Sequence, residues 1–148
     1  MGMTKTQKVS LLALRLALGL LFFYAGVTKV MDPSWTAAGF LAGAKSFPGL
    51  FAFFASPSLI GITNFLNAWG LTILGLSLVL GLFVRVSAPL GMVLMALYYL
   101  AQLDFPYPDA HSYLVDEHII YILALFVLLK FKAENCWGLK EMLKKNRV

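Results

Sequence analysis

Glu117 and His118 form the pair in this sequence best suited to move a proton, since an imidazole changes charge near neutral pH and a carboxylate beside it tunes where. Tyr121 follows Glu117 by one helical turn. Arg15 and Lys29 lie inside one apolar run, VSLLALRLALGLLFFYAGVTKVM, about four turns apart, and share a helix face with Gly19, Phe22 and Gly26. Hydrocarbon cannot solvate an ion, so each cation either snorkels to the nearest interface or faces the protein interior, and both arrangements stay open. Asn64 and Asn67 interrupt a second apolar run, and Tyr98, Tyr99 and Gln102 close a third. Side chains of these types can bind the carbonyls of a small ligand, or simply glue helices together at about 1 kcal/mol per hydrogen bond.

Helices must position them. Apolar runs predict membrane spans at about 9–31, 58–83, 86–103 and 113–131, each near the ~20 residues that cross a ~30 Å hydrocarbon core. Between the first two, residues 36–55 are apolar but broken by Gly39, Gly43, Pro48 and Gly49, which predicts a short interfacial or re-entrant segment. The expected fold is an all-α integral membrane four-helix bundle, a single domain over 1–148 with a tail at 132–148. Lys5, Lys8, Arg85, Lys130, Lys132, Lys140, Lys144, Lys145 and Arg147 then fall on one side and Asp32, Asp104, Asp109, Asp116 and Glu117 on the other. The positive-inside rule makes both termini cytoplasmic. The first run exceeds a signal-peptide core, contains Arg15 and lacks a small-x-small cleavage site, so it is expected to remain as a span.

Composition sets the class. With 60% hydrophobic and 13% charged residues and a mean hydropathy of +0.81, the chain falls outside soluble averages, in which about a quarter of residues are charged. The net charge of +5 comes from the chain ends and one turn, where topology accounts for it, so no nucleic-acid partner is expected. The single cysteine, Cys136, excludes an internal disulfide or a CxxC redox pair. His111 and His118 have no third nitrogen or sulfur ligand nearby, so no metal or haem site is expected within one chain.

On this topology the outward halves of the spans carry nearly all the polar groups. Lys29, Asn64, Asn67, Tyr98, Tyr99, Gln102, Glu117, His118 and Tyr121 are expected to converge on one cavity, with Lys29 paired to Glu117.

Arg15 with FFYAGVTKV, the run WGLTILGLSLVLGLFVR ending on Arg85, EHIIY, and Cys136-Trp137-Gly138-Leu139 together resemble the DoxX family of small four-helix membrane proteins. The flavour is that of the DoxD-like subunit of thiosulfate:quinone oxidoreductase. Many members carry a Glu in the second span; this chain has Asn67-Ala-Trp-Gly-Leu-Thr72 there. The resemblance implies a prokaryotic inner-membrane subunit that passes electrons from a small, sulfur-type donor to membrane quinone. His118 and Glu117 are then the expected catalytic pair, and Arg15, Lys29, Asn64, Asn67, Tyr98, Gln102 and Tyr121 the expected quinone-binding residues. The competing reading is a non-catalytic anchor or docking partner for a redox enzyme. Either reading expects the lipid bilayer as a partner, with a second subunit or a homo-oligomer.

Overall fold

The computed structural model describes residues 3–137. The part of the expected tail at 138–148, with its lysines and Arg147, lies outside the described residues. All named elements among the described residues are helical: α1 Lys5–Met31, α2 Ala38–Ala42, α3 Pro48–Phe54, α4 Ile60–Leu80, α5 Val84–Gln102, α6 Glu117–Lys130, then a 3₁₀ turn at Ala133–Asn135. Helices α1, α4 and α5 are long and apolar enough to cross a membrane.

Helix α1 starts four residues before the expected span because Thr4 and Gln7 form a reciprocal capping box, each side chain meeting the other's backbone N–H. The segment expected to be interfacial resolves into α2 and α3; Ala37 just before α2, Leu41 and Phe51 pack with Ala101 in a small satellite core. Helix α6 is shorter than its expected span. Residues 113–116 are loop, and the 14-residue helix is about 21 Å long. Asp116 sets the boundary by accepting the backbone N–H groups of His118 and Ile119 on one carboxylate oxygen.

The helices associate as two pairs, α1 with α4 and α5 with α6. Glycines bring the first pair into backbone contact. A Cβ on Gly19 would stand 2.8 Å from the Val79 nitrogen, one on Gly26 would fall on the Thr72 backbone, and one on Gly75 on the Phe23 backbone. Lipid chains are as apolar as the helices, so close van der Waals approach of small residues is what holds such a pair together. The main core, including Leu18, Phe22, Leu71, Leu78, Met95, Leu125 and Leu128, fills the space where the pairs meet.

Both pairs are fastened at one end. Arg15 is almost fully buried, at 1% exposure, and its Nη1 donates to the carbonyls of Ala133 at 2.6 Å and Cys136 at 3.2 Å. Arg85, in the first turn of α5, pairs with buried Glu134 at 2.6 Å. Of the two arrangements open to Arg15, the structure has the inward one.

Gly75→Ala should therefore lower unfolding stability in detergent by about 1–3 kcal/mol, the usual cost of overpacking. Gly70→Ala, where an added Cβ meets nothing within 4 Å, should be neutral or slightly stabilising. Equal effects from the two substitutions would show that the close approach does not hold the pair.

Candidate functional site

Most of the expected polar residues meet at the end of the bundle opposite Arg15. Lys29 is half-buried, and its Nζ donates to Asn67 Oδ1 at 3.0 Å. An ammonium carries donors only, so this bond must take the amide oxygen, leaving the Asn67 NH₂ free to donate elsewhere. The same Nζ lies 5.0 Å from the Trp35 ring centroid and 5.7 Å from that of Tyr98. Tyr98 is the hub. Its ring meets His118 edge-on at 5.7 Å and Phe40 at 5.7 Å, and its buried hydroxyl, near the Asn67 amide, has no well-formed hydrogen bond. Tyr121 packs edge-on against Phe22 at 5.8 Å and stands 6.3 Å from His118.

The expected pair of Lys29 with Glu117 does not form. Glu117 is exposed at the start of α6, while the residue before it, Asp116, is buried and holds His118 Nδ1 at 2.6 Å. One helical position is about 100° of rotation, enough to exchange an outward carboxylate for an inward one. Asp116 therefore does two jobs with two oxygens: Oδ1 caps the helix and Oδ2 orients the imidazole, the carboxylate–histidine arrangement that fixes a tautomer. An N-capping aspartate just ahead of an apolar helix is the sequence signal that marks it.

Asp32, the acid nearest Lys29 in sequence, is also engaged elsewhere. The Ser34 hydroxyl and N–H both donate to its Oδ1, at 2.6 and 2.9 Å, and hold its carboxyl below the usual range. No carboxylate among the described residues forms an ion pair with Lys29.

Besides Glu117, and Tyr99, whose hydroxyl bonds the Leu114 carbonyl, three expected residues are outside this cluster. Asn64 holds α2 in place: its Oδ1 accepts the Ala37 N–H at 2.8 Å and its Nδ2 donates to Thr36 at 3.1 Å. Gln102 lines a separate outer cavity of about 520 Å³ with Lys45, Asp104, Tyr107 and Asp109. Arg15 belongs to the opposite end. His111 is exposed in the loop, and among the described residues no three His, Cys, Asp or Glu side chains group closely enough to hold a metal ion.

The larger cavity, about 710 Å³, is a groove between α4 and α5. Leu66, Ile73, Val86, Leu90 and Val93 line it and are themselves exposed, so it opens sideways along the bundle. On α4 it runs from Thr63 to Ser77, about 20 Å. Asn67 and Tyr98 stand at one end beneath Ala37, Phe40 and Phe54; Ser77 and Ser87, bonded to each other at 2.9 Å, stand at the other. Phe40 lines both this groove and the outer cavity and so forms the partition between them.

Membrane-length apolar helices around a sideways-opening groove with one polar end define a multi-pass helical membrane protein. The family model that matches this chain is DoxX, over residues 10–103, and the chain belongs to the DoxX family. The matched stretch runs from within α1 to the end of α5, including Lys29, Asn67 and Tyr98; Asp116 and His118 lie beyond it. No curated protein and no solved structure matches the chain.

Two substitutions test the fixed ends of this site. Asp116→Ala should lower stability in detergent by about 2–4 kcal/mol through loss of the cap and of a charge-assisted bond. Asp116→Asn, which can still cap, should lose about half as much, and equal losses would mean that the His118 bond contributes nothing. Arg15→Met removes the guanidinium bonds to the Ala133 and Cys136 carbonyls, although the Cys136 N–H still donates to Ala133, and should cost about 1–3 kcal/mol. Wild-type stability of Arg15→Met would contradict the fastening assigned to it.

Proposed function

We propose that this protein is the quinone-binding membrane subunit of a quinone-linked oxidoreductase in a prokaryotic inner membrane. The observation that carries the reading is the groove's polar end. The Asn67 NH₂, turned from Lys29 by the bond to its own oxygen and toward the Tyr98 hydroxyl, and that hydroxyl itself both keep protons to donate beside an apolar slot of membrane depth. A quinone's head needs donors to a carbonyl oxygen, and its isoprenoid tail needs an apolar channel open to lipid. The groove between α4 and α5 offers both.

When bound, a quinone supplies two-electron, two-proton carrier chemistry. The protein's part is to bind, orient and handle protons. Asn67 and Tyr98 donate to the acceptor oxygen, and Lys29 stabilises negative charge developing there. His118, held by Asp116 at Nδ1, keeps Nε2 for proton exchange and contacts the Tyr98 ring from the other side. Glu117, exposed at the head of α6, faces the aqueous side of that route. Electrons come from a small donor, by family resemblance a sulfur compound, through a second protein subunit.

The orientation follows from charge. Lys5, Lys8, Arg85, Lys130 and Lys132 gather at the end fastened by Arg15, whereas Asp32, Asp104 and Asp109 are at the end with the polar cluster. The first end is cytoplasmic by the positive-inside rule. Helix α6 completes a fourth crossing, its short length extended by the turn that folds back onto Arg15.

Binding of decylubiquinone to the protein in nanodiscs, read by quenching of tryptophan fluorescence, tests the site. Saturable quenching is expected. Tyr98→Phe should weaken binding about 5- to 10-fold, the value of one hydrogen bond at ~1–1.4 kcal/mol. Tyr99→Phe, whose hydroxyl bonds the loop carbonyl of Leu114 at 2.6 Å, should leave it unchanged. Non-saturable quenching, or no effect of Tyr98→Phe, would overturn the assignment.

A further inference from the structure

Lys29 has an unusual set of neighbours for an intramembrane cation. Its described partners are one neutral amide and two aromatic faces. Asp32 is turned to Ser34, Asp116 is bound to His118, and Glu117 is exposed. An amide and two rings return only part of the hydration that a half-buried ammonium loses. An ammonium serving only to brace Asn67 could be replaced by a neutral donor without that loss. The arrangement makes sense where a ligand brings the missing negative charge.

Position supports this. Asn67 and Tyr98, the two residues that touch Lys29 from the groove side, are also the groove's polar lining at that end. Lys29 therefore stands directly behind the two donors, about one side chain from the acceptor they would hold. In apolar surroundings a charge at that range acts far more strongly than in water. It discriminates between a neutral and an ionised ligand of the same shape.

Resting on the quinone reading above, we propose that Lys29 is a specificity-determining residue that makes the groove select head groups carrying an ionised hydroxyl, the acidic 2-hydroxyquinone class, over neutral quinones. Charge is the selected feature. The donors Asn67 and Tyr98 would serve either kind of ligand, whereas the uncompensated ammonium favours the anion.

The test compares two probes with one tail: a 2-hydroxy-3-alkyl-1,4-naphthoquinone, ionised at neutral pH, and its 2-methoxy counterpart, which cannot ionise. Binding to the full-length protein in phosphatidylcholine nanodiscs is read by tryptophan quenching. At pH 7 the hydroxy probe should bind at least tenfold more tightly, and the ratio should shrink as acidification protonates it. Lys29→Met should bring the ratio close to one, and Lys29→Arg, which keeps the charge, should retain most of it. Equal affinity of the two probes for the unmodified protein, or a ratio unchanged in Lys29→Met, defeats the selectivity while leaving the quinone site standing. Saturable binding of neither probe removes the site and the selectivity together. Should Lys29→Met not fold, the pH series and Lys29→Arg decide the matter.

Discussion

The backbone contact between α1 and α4 is the constraint on which the other features depend. Gly19 and Gly26 on one helix and Gly75 on the other leave no room for side chains at the crossing, so these two helices approach as closely as helices can. A helix has only so much surface, and α4 presents its small-residue face to α1. Toward α5 it presents bulkier residues: Leu74 packs on Gly91, whereas Leu66 and Ile73 line the groove and are exposed. Helix α5 packs more extensively against α6, and beyond the Leu74–Gly91 contact the outer sides of α4 and α5 diverge to form the groove. The cavity thus accompanies unequal packing: α4 is in backbone contact with α1 through glycines and meets α5 more sparsely, leaving an apolar slot along its outer side.

A bundle of two pairs needs something to keep the pairs in register, and the two ends solve this differently. At one end Arg15 reaches across from α1 to carbonyls of the turn after α6, and Arg85 reaches from α5 to Glu134 in that turn. The last carbonyls of a helix and its following turn carry partial negative charge, so a buried guanidinium there is electrostatically favoured while its Nη1 bridges two of them. At the other end aromatic contacts, Lys29 over Tyr98, Tyr98 against His118 and Phe40 over Tyr98, join hydrogen bonds such as Lys29 to Asn67. The first end is built for rigidity. The second places the Asn67 amide and the Tyr98 hydroxyl beside an open slot.

Much of this was legible in the sequence, and the limits have a physical pattern. The positions of α1, α4 and α5 follow from long apolar runs, because the bilayer imposes length on composition. The convergence of Lys29, Asn67, Tyr98, His118 and Tyr121 followed from depth, since residues near the same end of neighbouring spans must share a level. Rotation and pairing were not legible. Depth does not separate Glu117 from Asp116, and only the start of α6 decides which carboxylate turns inward. That start was misplaced because Tyr113, Leu114 and Val115 are apolar enough to extend a hydropathy run, although Asp116 stops the helix there by capping it. Nor does hydropathy distinguish Asn64, which holds the short helix α2, from Asn67, three residues on, which faces Lys29. Arg15 stayed open because its partners are backbone carbonyls, and a backbone carbonyl has no signature in composition.

The division of the charged groups around Tyr98 has a consequence of its own. Two polar pairs flank that ring, Lys29 with Asn67 on one side and His118 with Asp116 on the other. Had the inward carboxylate met Lys29, the ammonium would be neutralised and the amide oxygen of Asn67 would lose its partner, leaving the NH₂ with no fixed direction. Placing the carboxylate on the imidazole leaves Lys29 without a carboxylate partner, turns the Asn67 NH₂ away from Lys29 toward Tyr98, and orients the histidine ring. The same acid at the N-terminus of α6 is stabilised there by the helix dipole. The helix cap, the imidazole's orientation and the field at the groove's polar end therefore follow from the inward turn of one residue, Asp116.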